Sequence, residues 1–340
     1  MGKLFAILLA SMFFCGIFTV PFINLLYYLK FQQPRNLSID SRGQKTLYND
    51  LHGWKVGTPI GGGILIIFAT FFFSLIFYAL TKFRWNWTAQ ILFLTLFLFG
   101  ALGLYDDLKK FFHRPSTGIW ALRIRYKFAL QWVGALLISF LLWRYMGLDS
   151  VSLPYFWGEL TFTLGPFYIL FAATLIVFFS NAFNISDGMD GLASGLLLLS
   201  LAGLWILCQQ TPFHGDIGVF IATLFGALIP FLYFNIYPAR IFMGDTGALA
   251  FGALLAVIAL MINQGLVLFL LGGVFVVEAL SSLIQLFSIA WRNGKKIFLI
   301  APLHHHLEAK GWSETKVTMR LWLFGLVCLV SALFWATFHF

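Results

Sequence analysis

Charge is what this sequence has least of. Only 10% of its 340 residues are Asp, Glu, Lys or Arg, where a soluble domain carries about 25%. That deficit excludes a free-standing soluble fold, and a 60% hydrophobic content excludes a disordered chain. Cysteine is scarce too. Cys15, Cys208 and Cys328 each sit inside an apolar run. An odd number without ligand spacing implies neither a disulfide framework nor a zinc site, so they read as packing residues. Acidic residues are fewer than basic ones, 13 against 22, leaving a net charge of +9. In a soluble protein that balance would suggest nucleic acid. In a chain this apolar it is first read against a membrane, and no nucleic-acid partner is expected.

Long hydrophobic runs are what the chain has instead. A transmembrane helix needs about 20 apolar residues. Cutting the runs at polar clusters gives spans near 4–29, 60–81, 88–105, 127–145, 166–185, 192–208, 217–235, 247–262, 266–291 and 320–338. The expectation is an all-α integral membrane protein with about ten spans, one polytopic domain over 1–340 and no internal repeat. The first run follows Lys3 as a signal peptide would. It continues to Leu29 without a small-residue cleavage motif, so it reads as an uncleaved span. The 266–291 run is long enough to be tilted or broken, and carries Glu278 at membrane depth, where it reads as a polar anchor.

Ten spans place both termini on one side. All Lys and Arg residues except Lys3, Lys82, Arg84 and Arg144 then fall on the other side. The positive-inside rule makes that side cytoplasmic and both termini extracytoplasmic.

Five polar clusters map to the cytoplasmic side: Lys55 to Gly63, Asp106 to Lys110, Asn181 to Leu192, Asn235 to Gly247, and Ala301 to Glu308. Asp106 and Asp107 end a span, where adjacent carboxylates repel unless a divalent metal or Lys109 and Lys110 compensate. A helix C-terminus is also the unfavourable end for Asp. Asn181, Asn184, Asp187 and Asp190 recur every three residues, which on a helix puts them on one face lining a polar site. The bland alternative is an Asp-Gly turn. Asp245 lies in Met-Gly-Asp-Thr-Gly before a span, as an N-cap would. It is also a hard oxygen donor of the kind Mg²⁺ takes together with substrate phosphates. His304, His305 and His306 are consecutive and so cannot form a zinc tripod alone, though imidazoles can serve phosphates. His52, His113, His214 and His339 read as surface residues. Gly61-Gly62-Gly63 lacks the Walker order and fits close helix packing better than a phosphate cradle. Carboxylates, Lys, Asn and His from five loops suit Mg²⁺-assisted phosphoryl transfer, and a site at the membrane implies that one substrate is a lipid.

At these residues the chain resembles the polyprenyl-phosphate N-acetylhexosamine-1-phosphate transferases. The resemblance rests on Asp106-Asp107, Asn184-x-x-Asp187-Gly-x-Asp190-Gly and Phe242-Met-Gly-Asp245, and runs from about residue 30 to the C-terminus. Pro302-Leu-His-His-His306 with Glu308, Lys310-Gly-Trp312 and Gly273-Val-Phe-Val-Val-Glu278 resemble its muramoyl branch, which gives Glu278 more interest than composition does. Gly57-Thr-Pro-Ile-Gly-Gly-Gly63 departs from that branch, which reads Gly-Thr-Pro-Thr-Met-Gly-Gly there, and the Ser38 to Trp54 loop is atypical.

The resemblance implies transfer of phospho-MurNAc-pentapeptide from its UDP carrier to undecaprenyl phosphate in the bacterial inner membrane. The products would be lipid I, for peptidoglycan synthesis, and UMP. It assigns Mg²⁺ to Asp245 and activation of the lipid phosphate to Asp106 and Asp107. Lys55, Asp190, Asn235 and Phe242 would hold uridine, with Phe242 stacking on the base. Asp187 would line the same pocket, Asn181 and Asn184 the adjoining polar face. Lys110, His304, His305 and His306 would contact phosphates or the sugar. It further implies a homodimer. Two other readings stay open: the same chemistry on UDP-GlcNAc, and a transporter with carboxylates at its cytoplasmic face.

Overall fold

The structure is a computed structural model and describes residues 2–33, 55–81, 85–112, 124–155 and 158–337. The Ser38 to Trp54 loop lies outside the described residues, as do Arg35, Arg42, Lys45, Lys82, Arg84, Arg114, Arg123, His52, His113 and His339.

Apolar runs form helices because a backbone in lipid must satisfy its own hydrogen bonds. In chain order the helices are α1 (Gly2–Tyr28), α2 (Gly62–Leu80), α3 (Trp87–Phe112), α4 (Ile124–Met146), α5 (Tyr168–Ser186), α6 (Leu192–Cys208) and α7 (His214–Asn235). They continue with α8 (Gly244–Met261), α9 (Val267–Leu271), α10 (Gly273–Trp291), α11 (Leu303–Ala309) and α12 (Glu314–Thr337). Among the described residues nine helices are long and apolar enough to cross a membrane, and α6 is a shorter apolar helix.

The axis of the bundle is α8, which packs against α2, α3, α5 and α6. Its run of Ala, Gly and Leu is buried from Thr246 to Met261, and small residues let neighbouring backbones approach. Gly103 on α3 shows how close. A Cβ there would stand 2.1 Å from the Asp245 carbonyl oxygen, so only glycine seats α3 against the start of α8. At the periphery α1 and α12 turn large apolar side chains outward, among them Phe13, Ile17, Leu323 and Val327. That is the arrangement expected of lipid-facing helices. The three cysteines are free and buried.

Of the two outcomes open to the 266–291 run, the structure shows the break, at Gly272 between α9 and α10. Three details differ from the sequence reading. The helix expected to stop at residue 105 continues to Phe112, so Asp106 and Asp107 lie a turn inside α3. The last helix starts at Glu314, earlier than residue 320. Between α4 and α5 lies an antiparallel hairpin, β1 (Ser150–Tyr155) with β2 (Gly158–Thr163), pairing Ser150 with Thr163 and Tyr155 with Gly158. Its Ser-Val-Ser-Leu and Leu-Thr-Phe-Thr alternation is a strand pattern, too short to show between hydrophobic runs.

Candidate active site

The first half of the site forms where α3, α4, α5 and α8 converge. Asp107 accepts from the backbone N–H of Asp245 (3.1 Å) and Thr246 (3.0 Å) and from the Thr246 hydroxyl (2.8 Å). It therefore caps the N-terminus of α8 from another helix, where a negative charge is favoured. The unfavourable position of Asp107 near the end of its own helix is thus resolved by the positive end of a neighbour. Asp245 consequently does not cap α8. It lies in the first turn and projects across the site.

There Asp245 Oδ1 accepts from Asn184 Nδ2 at 2.9 Å, while Oδ2 accepts from Lys110 (2.8 Å) and Lys127 (2.6 Å). Both lysines also reach Asp106 Oδ2, at 3.2 and 2.9 Å. Two ammonium groups thus bridge two carboxylates, Asp106 buried and Lys110 the most open of the four, and removing one charge leaves its partners uncompensated. Lys127 is the member the sequence reading missed. It stands in the basic flank of a span and looks like any other orientation-setting lysine. One turn further along α4, Gln131 Oε1 accepts from Asn181 Nδ2 at 2.7 Å.

The second half lies between the turn after α5, the segment around Lys55 and the start of α12. Lys55 Nζ contacts Asp190 Oδ1 at 2.8 Å and Glu314 Oε1 at 2.5 Å. It also stands 5.9 Å from the centre of the Phe242 ring. Burial works against the ammonium, but Glu314 and then Asp190 outweigh it and hold its pKa above the usual lysine value. Glu314 Oε1 also accepts the Asp190 N–H at 2.7 Å, which fixes the turn. Sequence reasoning passed over Glu314 because it sits in a charged loop without a motif. Asn235 is buried and fully engaged, donating to the Ile241 carbonyl (2.9 Å) and accepting from Ser194 (2.7 Å). It clamps the end of α7 to α6 and to the backbone of Ile241.

The expected single face of Asn181, Asn184, Asp187 and Asp190 is therefore split. The helix ends at Ser186, so the asparagines stay on α5 and the aspartates follow the turn. Asp187 lies between the two halves. Burial first, and the Asp245 charge second, push its carboxyl well above the ordinary range, with Lys55 offsetting only part. A raised native pKa means the folded state binds this proton more tightly than the unfolded chain. Stability is then present below about pH 4 and is lost as pH rises through the native value. Asp187→Asn is accordingly expected to raise the melting temperature in detergent, more at pH 8 than at pH 5. An unchanged or lowered melting temperature at pH 8 contradicts this.

The histidines also separate. His304 and His305 are buried beside Gly188, whereas His306 accepts the Leu299 N–H at 3.1 Å and lies against the Phe298 ring. The three glycines are not a phosphate cradle. The N–H groups of Gly61 and Gly62 donate to the Phe242 carbonyl and that of Gly63 to the Met243 carbonyl.

Among the described residues no three His, Cys, Asp or Glu side chains are arranged to hold a metal by themselves. The donor set nevertheless fits Mg²⁺, a hard cation often held by one or two carboxylates with substrate phosphates completing its shell. Asp245 has that chemistry, although in this structure its oxygens are held by Asn184, Lys110 and Lys127, which a bound cation would have to replace.

A family model described as glycosyl transferase family 4 matches residues 89–263, from α3 through α8. Similar proteins include one from Desulfotalea psychrophila, 41% identical over 82% of this chain and 79% of its own. Another, from Leptospira biflexa, is 35% identical over 96% and 90%, and one from Francisella tularensis is 38% identical over 83% and 80%. All three are named phospho-N-acetylmuramoyl-pentapeptide-transferase. With this match spanning the convergent carboxylates and lysines, the chain belongs to glycosyl transferase family 4 and, within it, to the phospho-N-acetylmuramoyl-pentapeptide-transferases.

Proposed function

We propose that this chain, as one polytopic domain, transfers phospho-MurNAc-pentapeptide from UDP-MurNAc-pentapeptide to undecaprenyl phosphate, forming lipid I and UMP. The observation that carries the reading is the bridging of Asp106 and Asp245 by Lys110 and Lys127, next to a separate Lys55–Asp190–Glu314 group beside Phe242. One half suits phosphates and the other a nucleoside. The basic residues beside both halves support a cytoplasmic active site and extracytoplasmic termini, and the bacterial relatives support residence in the inner membrane.

In the proposed reaction a lipid-phosphate oxygen attacks the sugar-bearing phosphorus. The bond from that phosphorus to the bridging oxygen breaks, and UMP leaves with the electron pair. The attacking phosphate is already largely anionic near neutral pH, its second pKa being about 6, so no strong base is needed. Asp107 is poorly placed to be base or nucleophile, because its oxygens accept three bonds from the start of α8. It aims Asp245 instead, and direct attack follows as the simpler route. Lys110 and Lys127 offset charge on the transferring group, and Lys55 draws the nucleotide toward Phe242. Mg²⁺ held at Asp245 would neutralise phosphate charge when bound.

The test is UMP release in detergent with undecaprenyl phosphate and each of two sugar nucleotides. UDP-MurNAc-pentapeptide is expected to be used and UDP-GlcNAc ignored. Turnover of UDP-GlcNAc alone overturns the muramoyl assignment.

A further inference from the structure

The membrane helix α10 carries a polar stripe. Glu278, Ser281, Gln285 and Ser288 follow each other at spacings of three, four and three, which is one helical face, and all four are buried. Polar groups so placed in a span are costly and need partners. Their partners are the chain from Lys295 to His304. Ser288 donates to the Lys295 carbonyl at 2.8 Å. Gln285 accepts from Ile297 and Phe298, both at 3.0 Å, and donates to the Phe298 carbonyl. The Ser281 hydroxyl accepts the Leu303 N–H at 2.9 Å. The stripe is a template on which the histidine-bearing segment is laid down.

Glu278 ends the stripe at the site. Its Oε2 accepts the His304 backbone N–H (3.3 Å) and contacts the ring Nδ1 (3.0 Å), with both side chains fully enclosed. With Nδ1 donating to the carboxylate, Nε2 is the nitrogen left for another group. In this structure His304 Nε2 is buried without a partner. His305 repeats the arrangement, its Nδ1 lying 2.9 Å from Glu308 Oε2. The two Nε2 atoms converge on one place. A Cβ on Gly188 would stand 2.6 Å from His304 Nε2 and 3.4 Å from His305 Nε2. Gly188 follows Asp187, between the phosphate half of the site and the Lys55 half.

We propose that Glu278 is a positioning residue for the transfer reaction. It holds His304 so that Nε2, beside that of His305, meets the diphosphate or sugar of the substrate next to Gly188. This rests on the reaction proposed above. A nucleotide lacking the second phosphate and the sugar does not reach this place, so UMP binding is independent of Glu278.

The test compares Glu278→Leu, Glu278→Asp, His304→Ala and the double variant Glu278→Leu/His304→Ala, all in detergent. UMP release from UDP-MurNAc-pentapeptide and the affinity for UMP alone are measured for each. Glu278→Leu is expected to lose about 10²-fold in turnover, as a misplaced catalytic group can, with UMP affinity within about twofold. The double variant is expected to be no slower than His304→Ala, because coupled residues are not additive. Glu278→Asp, which keeps the carboxylate but withdraws it, covers the case in which the Leu variant does not fold. It is expected to lose activity, and in a further double variant, Glu278→Asp/His304→Ala, that loss is expected to disappear against His304→Ala alone. Overturning results are full turnover by Glu278→Asp, fully additive losses, or UMP affinity falling in parallel with turnover. Wild-type protein inert toward UDP-MurNAc-pentapeptide overturns the underlying reaction as well. An active wild type with an indifferent Glu278 overturns the positioning role alone.

Discussion

Asp245→Ala is expected to lose transfer by about 10³-fold or more, the scale seen when a preorganised electrostatic group is removed from a transition state. The reason lies in what this carboxylate gathers. Asn184, Lys110 and Lys127 all direct a donor at it, and it is the residue proposed to hold Mg²⁺. Its removal frees both ammonium groups to collapse onto Asp106, already 3.2 and 2.9 Å from them. The helix cap survives, because Asp107 bonds to the backbone of residue 245 and to Thr246 rather than to the Asp245 side chain. The variant is therefore expected to remain folded in detergent and to bind UMP through Lys55 and Phe242. Near-normal UMP release by well-folded Asp245→Ala protein would remove the metal role.

Lys127→Met is expected to cost about 10²-fold in turnover with UMP affinity within about twofold of wild type. Methionine keeps much of the length and apolar stem of lysine but withdraws the charge that spans Asp106 and Asp245. Lys110 is left to compensate both carboxylates from a more exposed position, 35% against 18% for Lys127. Lys127→Arg is expected to recover only part of the loss, since a planar guanidinium does not replace a compact ammonium shared by two carboxylates. Steady-state turnover and UMP binding on the same preparations check both points. A fall in UMP affinity matching the fall in turnover would place Lys127 in the nucleotide half of the site instead.

Much of this site is legible in one sequence because a membrane makes polar residues conspicuous. Asp106, Asp107, Asn184, Asp187 and Asp245 stand out against apolar runs, and burying them in lipid without partners would be prohibitive. Their convergence could be inferred before any contact was known. Residues that resemble their surroundings are harder to read. Lys127 and Glu314 sit in charged flanks where positive-inside statistics and solvation already explain such residues. The split between the Asn184 and Asp190 sides was hidden because a three-residue spacing fits a helix, while the chain leaves the helix at Ser186. Ser281, Gln285 and Ser288 were invisible for another reason. Their partners are backbone groups of the 295–303 segment, and backbone positions carry no sequence signal. Fold-level reading followed the same division. Length and hydropathy located the spans and allowed a break in the 266–291 run, whereas its position at Gly272 and the hairpin at 150–163 depend on packing that hydropathy does not register.

The most direct test follows the fate of one phosphorus atom. UDP-MurNAc-pentapeptide labelled with ³²P at the phosphate that bears the sugar is incubated with detergent-solubilised protein, undecaprenyl phosphate and Mg²⁺, and the products are partitioned between butanol and water. Transfer of the sugar together with its phosphate predicts that the label moves into the butanol phase in step with release of unlabelled UMP. Label remaining in the aqueous phase, as UDP or as unreacted substrate, would contradict it.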